Sequence, residues 1–297
     1  MASLQTIGFI YNDRIVEAQE MANALVERLD LGGRSWQCAA TEVEESLPGA
    51  EETDLIITIG GDGTIIRAAR VSVPNRIPIL GINMGRLGFM TEIEAHEAFD
   101  RVPLFLEGDM RVEERCMLQV RTMSDGRGGS NYLSMAGKQE CNALNDVVVG
   151  RGAVSRLVSI ATYINSAFIT EFRADAVIVS TATGSTGYNL SVGGPILWPL
   201  ADEMILKPIA PHVGMASAMV LPATSTVDLV VRTDHSATLS VDGYVDADLP
   251  AGAAVEVQAS PCSALFLRSN PPVHFFETLT QRLGFGDGAS TTRAIQY

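Results

Sequence analysis

Residues Asp54–Ile59 (DLIITI) form a continuous, largely β-branched run that ends in Gly60-Gly61-Asp62-Gly63-Thr64, and Thr64–Val71 beyond it has helical spacing. A short strand without polar alternation must be covered on both faces, which points to a parallel sheet flanked by helices. The neighbouring segments agree with that. Leu4–Tyr11 (LQTIGFIY) reads as a buried strand, and Arg14–Leu29 places Ile15, Ala18, Met21, Ala22, Leu25 and Leu29 at helical spacing. Ser35–Ala39 reads as a weaker strand, the acidic segment through Thr53 as a solvated face, and Pro78–Ile82 as the next buried strand. Strand, helix, strand, turn, helix, strand is an α/β layer.

The period changes near Pro103. Cys116–Arg121, Leu144–Val149, Leu157–Ile164, Ala167–Phe172, Ala176–Ser180, Val227–Val231, Ala237–Val241 and Ala254–Ala259 are short and β-rich, with turn signals such as Asp125–Asn131 (DGRGGSN) between many of them. This half is expected to be mostly antiparallel β. Val273–Leu283 returns to helical spacing, and the tail from Gly286 is expected to be loose. The expected organisation is an α/β domain over 1–103, a β-rich domain over 104–272, and a C-terminal helix and tail over 273–297 that packs back on the first domain.

Charge narrows the partners. The chain of 297 residues carries a net charge of −14, which opposes binding to a phosphate backbone, so no nucleic acid is expected. A small anionic ligand is still possible where backbone N–H groups and local arginines dominate at short range. The four cysteines are far apart and show neither CxxC nor zinc spacing, so they read as reduced thiols. No basic, apolar leader opens the sequence and no apolar run reaches the roughly 18 residues of a membrane span. A cytoplasmic protein with no membrane partner is expected.

The first chemical candidate is Asp62. A strand that ends in GGDGT and gives way to a helix lies at the carboxyl edge of an α/β sheet, where ligands bind. Glycines allow close backbone approach, and the helix start presents free N–H groups that suit phosphate. The Asp62 carboxylate could take a proton from an attacking hydroxyl or help hold a metal. Equally, Asp62 could simply cap the next helix while the glycines make the turn. The pattern is neither a Walker A loop nor a dinucleotide GxGxxG.

Two later segments add weight. Asn83–Thr91 (NMGRLGFMT) follows the next strand, though alone it reads as an ordinary loop. Asp175–Asn189 (DAVIVSTATGSTGYN) runs from a strand into hydroxyls, glycines and a tyrosine, followed by Ser191–Pro195 (SVGGP). Such a stretch can hydrogen-bond phosphate or ribose oxygens, and Tyr188 could stack on a ring or lie in the core. Together with Ala143–Val149 (ALNDVVV), these blocks occur in the order and spacing of the NAD kinases, which the chain resembles over nearly its whole length. Lipid kinases and phosphofructokinases share the GGDG turn but lack a block like residues 174–196.

The resemblance implies a Rossmann-like N-terminal α/β domain and a C-terminal β-rich sandwich domain, with NAD bound between them. It implies phosphorylation of the adenosine-ribose 2′-hydroxyl, with ATP or polyphosphate as donor and a divalent metal, Mg²⁺, accompanying it. By resemblance Asp62 is the catalytic residue. The NAD-binding set is Asp62, Gly63, Arg67, Asn145, Asp146, Arg156, Arg173, Asp175, Thr186, Gly187, Tyr188, Asn189, Leu190, Ser191, Ala210 and Tyr244. No metal-ligating residue is identified in the protein itself. Ala210 is expected to touch ligand from a neighbouring subunit, and a homodimer or homotetramer is expected. Three positions depart from the family pattern: Asp146 replaces Glu, Gly187 replaces Ala and Tyr244 replaces Gln. A non-catalytic nucleotide sensor of the same fold is the main alternative, although Asp62 is intact.

Overall fold

In the computed structural model, residues 6–43, 47, 49–108, 110–123, 140–152, 156–213 and 215–284 are described. The turn expected at Asp125–Asn131 and the tail from Gly286 lie outside them, as does part of the acidic segment before Thr53. The chain divides into two compact units, one comprising residues up to Glu113 and from Leu265 onward, the other Glu114–Ala264.

The first unit is built from β1 (Ile7–Tyr11), α1 (Val16–Arg28), β2 (Ser35–Ala39), β3 (Leu55–Gly60), α2 (Asp62–Asn75), β4 (Ile79–Asn83), β5 (Ile93–Glu94) and α3 (Ala98–Glu107). Its parallel strands run β4-β3-β1-β2. Every residue of β3 and β4 is buried, as strands covered on both faces require. Ala18, Ala22 and Leu25 of α1 face that sheet, joined in the core by Ile7, Phe9, Ile57, Ile59, Leu80 and Ile82.

Helix α3 has no counterpart in the sequence reading, because Pro103 inside it argues against a helix. Proline leaves the carbonyl four residues earlier without its helical donor. Here Arg28 Nε donates to that carbonyl, Phe99 O, at 2.9 Å. A tertiary contact thus replaces what the local sequence removes.

The second unit holds most of β6 (Arg111–Met123), then β7 (Glu140–Ala143), β8 (Asp146–Arg151), β9 (Val158–Ile164), β10 (Ala167–Ala174), β11 (Ala176–Ser180), a short α4 (Tyr188–Ser191), β12 (Met204–Ile209), β13 (Met219–Leu221), β14 (Thr226–Val231), β15 (Ala237–Val241), β16 (Val245–Leu249) and β17 (Ala254–Arg268). One antiparallel sheet runs β13-β12-β11-β8-β15-β16. In the other, β10, β9, β14 and β17 are consecutive neighbours and β6 pairs with β17 and β7. Alternate residues of both sheets (Val147, Val149, Val177 and Val179 against Ile160, Phe172, Val227, Val255 and Val257) form one apolar core. The β-rich character of this half and the α/β layer of the first agree with the expected fold class.

Strand β17 serves both units. Val257 pairs with Val227 of β14, whereas Phe266, past the division, pairs in parallel with Ile79 of β4. Helix α5 (His274–Arg282) follows in the first unit. Among the described residues no helix is long and apolar enough to cross a membrane.

Candidate active site

In the first unit, Gly61 is the extended N-cap residue of α2 and Asp62 is its first helical residue, with no side-chain cap hydrogen bond. This excludes the capping alternative for Asp62. Its carboxylate reaches instead to the loop after β4. Phe89 N–H donates to Oδ2 at 2.9 Å, and Met90 N–H donates to Oδ1 at 3.0 Å. Arg282 Nη1 donates to Oδ2 at 3.3 Å. Gly88 makes room for this, since a Cβ there would lie 2.3 Å from Asp62 Oδ1.

The loop is itself anchored. Arg268 Nη1 donates to Met90 O at 2.9 Å and to Thr91 O at 3.3 Å. The same buried guanidinium pairs with Glu92 at 3.1 Å and with Glu113 at 3.5 Å. Glu92 also accepts from Ser269 N–H and Asn270 N–H at 2.8 and 2.7 Å. A carboxylate offers about four acceptor sites, and three of those on Asp62 are filled, leaving one on Oδ1. The Asp62 side chain as a whole is 24% exposed. Gly63 follows in the first turn of α2, while Arg67 Nη1 donates to Ala40 O at 3.3 Å.

In the second unit, the structure brings three sequence segments together where β8 begins and β11 ends. Thr181 Oγ1 donates to Leu144 O at 2.6 Å, and Thr181 N–H donates to Asn145 O at 2.9 Å. Gly184 N–H then donates to Thr181 Oγ1 at 2.9 Å. The third segment is the turn at Asp242, whose φ of +52° precedes Gly243 and Tyr244. Asp242 accepts from Leu144, Asn145 and Asp146 N–H at 2.7, 2.7 and 3.0 Å. The buried Asn145 Oδ1 has no hydrogen-bond partner among the described residues.

Burial pushes the Asp146 carboxyl up to about 7, and the neighbouring Asp242 charge adds to this. Burial also raises Asp242, to about 6, against three backbone donors that favour its ionised form. Those donors make Asp146 the member that keeps a proton. Between the unfolded value of roughly 4 and these raised values the folded state binds more protons, so stability falls as pH rises through that window and is level above it. Asp146→Asn removes the Asp146 titration and leaves that of Asp242. Compared with the parent, the variant is expected to gain on the order of a few kcal/mol in going from pH 4 to pH 8. Urea melts at both pH values check it, and a pH-independent difference would exclude a raised Asp146 carboxyl.

The hydroxyl-rich block folds on itself. Thr186 Oγ1 donates to Thr183 O at 3.2 Å, Gly187 N–H to Gly184 O at 2.9 Å, and Ser191 Oγ to Gly187 O at 3.4 Å. Asn189 is fully buried, and its amide donates to Ser185 O and Pro195 O at 3.0 and 2.9 Å, so its side chain holds the loop. Tyr188 is 46% exposed, which favours a stacking surface over a core position, and Leu190 is half-buried beside it.

The remaining residues from the sequence reading lie elsewhere. Asp175 precedes β11, so the five residues of that strand, about 17 Å, separate it from the cluster just described. It pairs with Arg151 at 3.3 Å, and its N–H donates to Ile209 O at 3.0 Å, next to the exposed Ala210 with its φ of +45°. Arg173 lines a cavity of about 590 Å³ with Ser159, Glu171, Arg232 and His235. Arg156 is exposed. Sequence reasoning did not single out Arg268, Arg282 or the role of Asp242. Asp242 leaves a faint signal in its Asp-Gly turn. The arginines leave none, because their partners are far away along the chain.

Known proteins resemble the chain throughout. The ATP-NAD kinase N-terminal domain matches residues 14–110, and the ATP-NAD kinase C-terminal domain matches residues 144–269. A NAD kinase of Dehalococcoides mccartyi is 38% identical over 278 residues, covering 93% of this chain and 95% of that protein. A NAD kinase of Heliobacterium modesticaldum is 34% identical over 292 residues, covering 95% and 100%. Among solved structures, yeast NADH kinase complexed with NADH aligns with a TM-score of 0.81 at 22% identity, covering 98% of this chain and 91% of that one. An Archaeoglobus fulgidus NAD kinase in complex with ATP aligns at 0.72 and 23% identity, covering 92% and 98%. The structural matches bear on the fold, and the sequence matches, at this identity and coverage, establish that the chain belongs to the ATP-NAD kinase family.

Proposed function

We propose that this chain is a NAD kinase, transferring the γ-phosphoryl group of ATP to the 2′-hydroxyl of the adenosine ribose of NAD and releasing NADP and ADP. The observation that carries this is Asp62: a part-exposed carboxylate at the head of α2 that turns away from its own helix and keeps one acceptor site open. The 2′-hydroxyl donates to that site. Its oxygen attacks the γ-phosphorus, the bond from phosphorus to the bridging oxygen breaks, and the hydroxyl proton passes toward Asp62. Positioning and charge stabilisation supply most of the acceleration in such a reaction.

The cluster around Asn145, Asp146, Thr186–Ser191 and Tyr244 offers an unpartnered buried acceptor, Asn145 Oδ1, and an exposed ring, Tyr188, for the nucleoside part of NAD. Asp175, Arg173 and Ala210 belong to the other end of β11. They suit the distal part of an extended dinucleotide, or one held by a second copy in a homodimer or homotetramer. Among the described residues no group of three or more His, Cys, Asp or Glu side chains is placed to hold a metal ion. Mg²⁺ is proposed to enter with the donor, as MgATP.

The direct test is incubation of the purified chain with NAD, ATP and Mg²⁺, reading NADP through an NADP-specific dehydrogenase. NADP formed above an Asp62→Asn control supports the reading. No NADP with either ATP or polyphosphate, despite NAD binding in calorimetry, would instead favour a nucleotide sensor.

A further inference from the structure

We infer that Arg282, at the end of α5, is a positioning residue for Asp62, deciding which carboxylate oxygen receives the acceptor hydroxyl; this rests on the phosphoryl-transfer reading above. The guanidinium makes two contacts that close on each other. Arg282 Nη1 lies 3.3 Å from Asp62 Oδ2, and its guanidinium carbon lies 4.5 Å from the centroid of the Phe89 ring. Phe89 is also the residue whose N–H donates to Oδ2, at 2.9 Å. Phe275, in the first turn of the same helix, places its ring 6.0 Å from that of Phe89. The helix therefore holds the residue that holds the carboxylate, and adds a charge-assisted donor of its own.

The consequence lies in the acceptor count. Oδ2 receives Phe89 N–H and Arg282, so both its acceptor sites are filled. Oδ1 receives only Met90 N–H and keeps one site free. Without Arg282, Oδ2 also has a free site, and an incoming hydroxyl can choose either oxygen, only one of which is set in the attacking geometry. Misplacements of this size cost catalysis more than binding. Stability is affected little, because the Arg282 and Asp62 side chains are 41% and 24% exposed and ion pairs this wet add little to folding.

The test compares Arg282→Ala and Arg282→Lys with the parent full-length chain, reading kcat, KM for NAD and Tm. Arg282→Ala is expected to lower kcat roughly tenfold with KM for NAD within about twofold. Tm should move by no more than about two degrees. Arg282→Lys recovers part of the loss, since an ammonium can reach Oδ2 but lacks the planar stacking face. Added ethylguanidinium raises the turnover of Arg282→Ala and leaves that of the parent unchanged. An unchanged kcat in Arg282→Ala overturns the inference alone. So does a raised KM at constant kcat, which marks a ligand contact, or an equal loss in both variants that follows a fall in Tm. A parent chain that forms no NADP overturns this inference and the reading beneath it together.

Discussion

Asp62→Asn is expected to lower NAD kinase turnover by at least about a hundredfold, the scale of losing a positioned general base. The substitution is nearly isosteric, yet it does more than remove a charge. An amide presents one acceptor and one donor, whereas the loop offers the carboxylate Phe89 N–H on one oxygen and Met90 N–H on the other, with Arg282 behind Phe89. Whichever way the amide turns, its NH₂ group meets a donor. The loop should loosen, at a cost of about 1–3 kcal/mol for the partner left unsatisfied. On the proposed reading, in which the second unit supplies most of the contacts to NAD, NAD affinity should remain close to that of the parent. Coupled assays and calorimetry with NAD separate the two effects, and parent-like kcat would remove Asp62 from the chemistry.

The second large effect is expected at Gly184. A Cβ there would lie 2.1 Å from the backbone oxygen of Asn145 and 2.5 Å from its carbonyl carbon. A flexible side chain could move aside, but here the obstacle is main chain, and Asp242 fixes that main chain with three hydrogen bonds. Gly184→Ala must therefore part the Thr181–Gly187 segment from the Leu144–Asp146 turn. The expected cost is about 3 kcal/mol or more, with loss of NAD binding even where the chain still folds. Urea denaturation and a binding isotherm report the two losses. A variant with parental midpoint and affinity would mean that these segments do not pack as tightly as the structure places them.

The sequence makes the framework legible wherever packing is local. In the first unit, β3 and β4 follow from unbroken apolar runs and α1 from the spacing of Ala18, Ala22 and Leu25. Prolines hide what tertiary contacts rescue. Pro103 conceals α3, whose freed carbonyl is met by Arg28. Pro208 masks β12, and is tolerated because the pairing of β12 with β13 stops at Leu206. The GGDG turn announces Asp62 as a site, but whether its carboxylate caps α2 or leaves it depends on Phe89, Met90 and Arg282. Those partners lie 27, 28 and 220 residues away, and no local pattern encodes them. The same holds for Asp242, which organises the Asn145-Asp146 turn across nearly a hundred positions.

The path of β17 has a consequence for the order of assembly on the ribosome. The chain leaves the first unit at Glu113 and re-enters it only at Leu265, so the second unit is a contiguous insertion while the first is made of two pieces. Arg268, which grips the carbonyls of Met90 and Thr91, and Arg282, which pairs with Asp62, both belong to the late piece. At roughly 5–20 residues per second, the intervening segment takes on the order of ten seconds to emerge. Through that interval the nascent polypeptide has its glycine turn but not the clamp that orients the carboxylate. The surroundings of Asp62 are thus the last part to be completed, and a chain cut short before α5 is born without the Arg282 contact to that carboxylate.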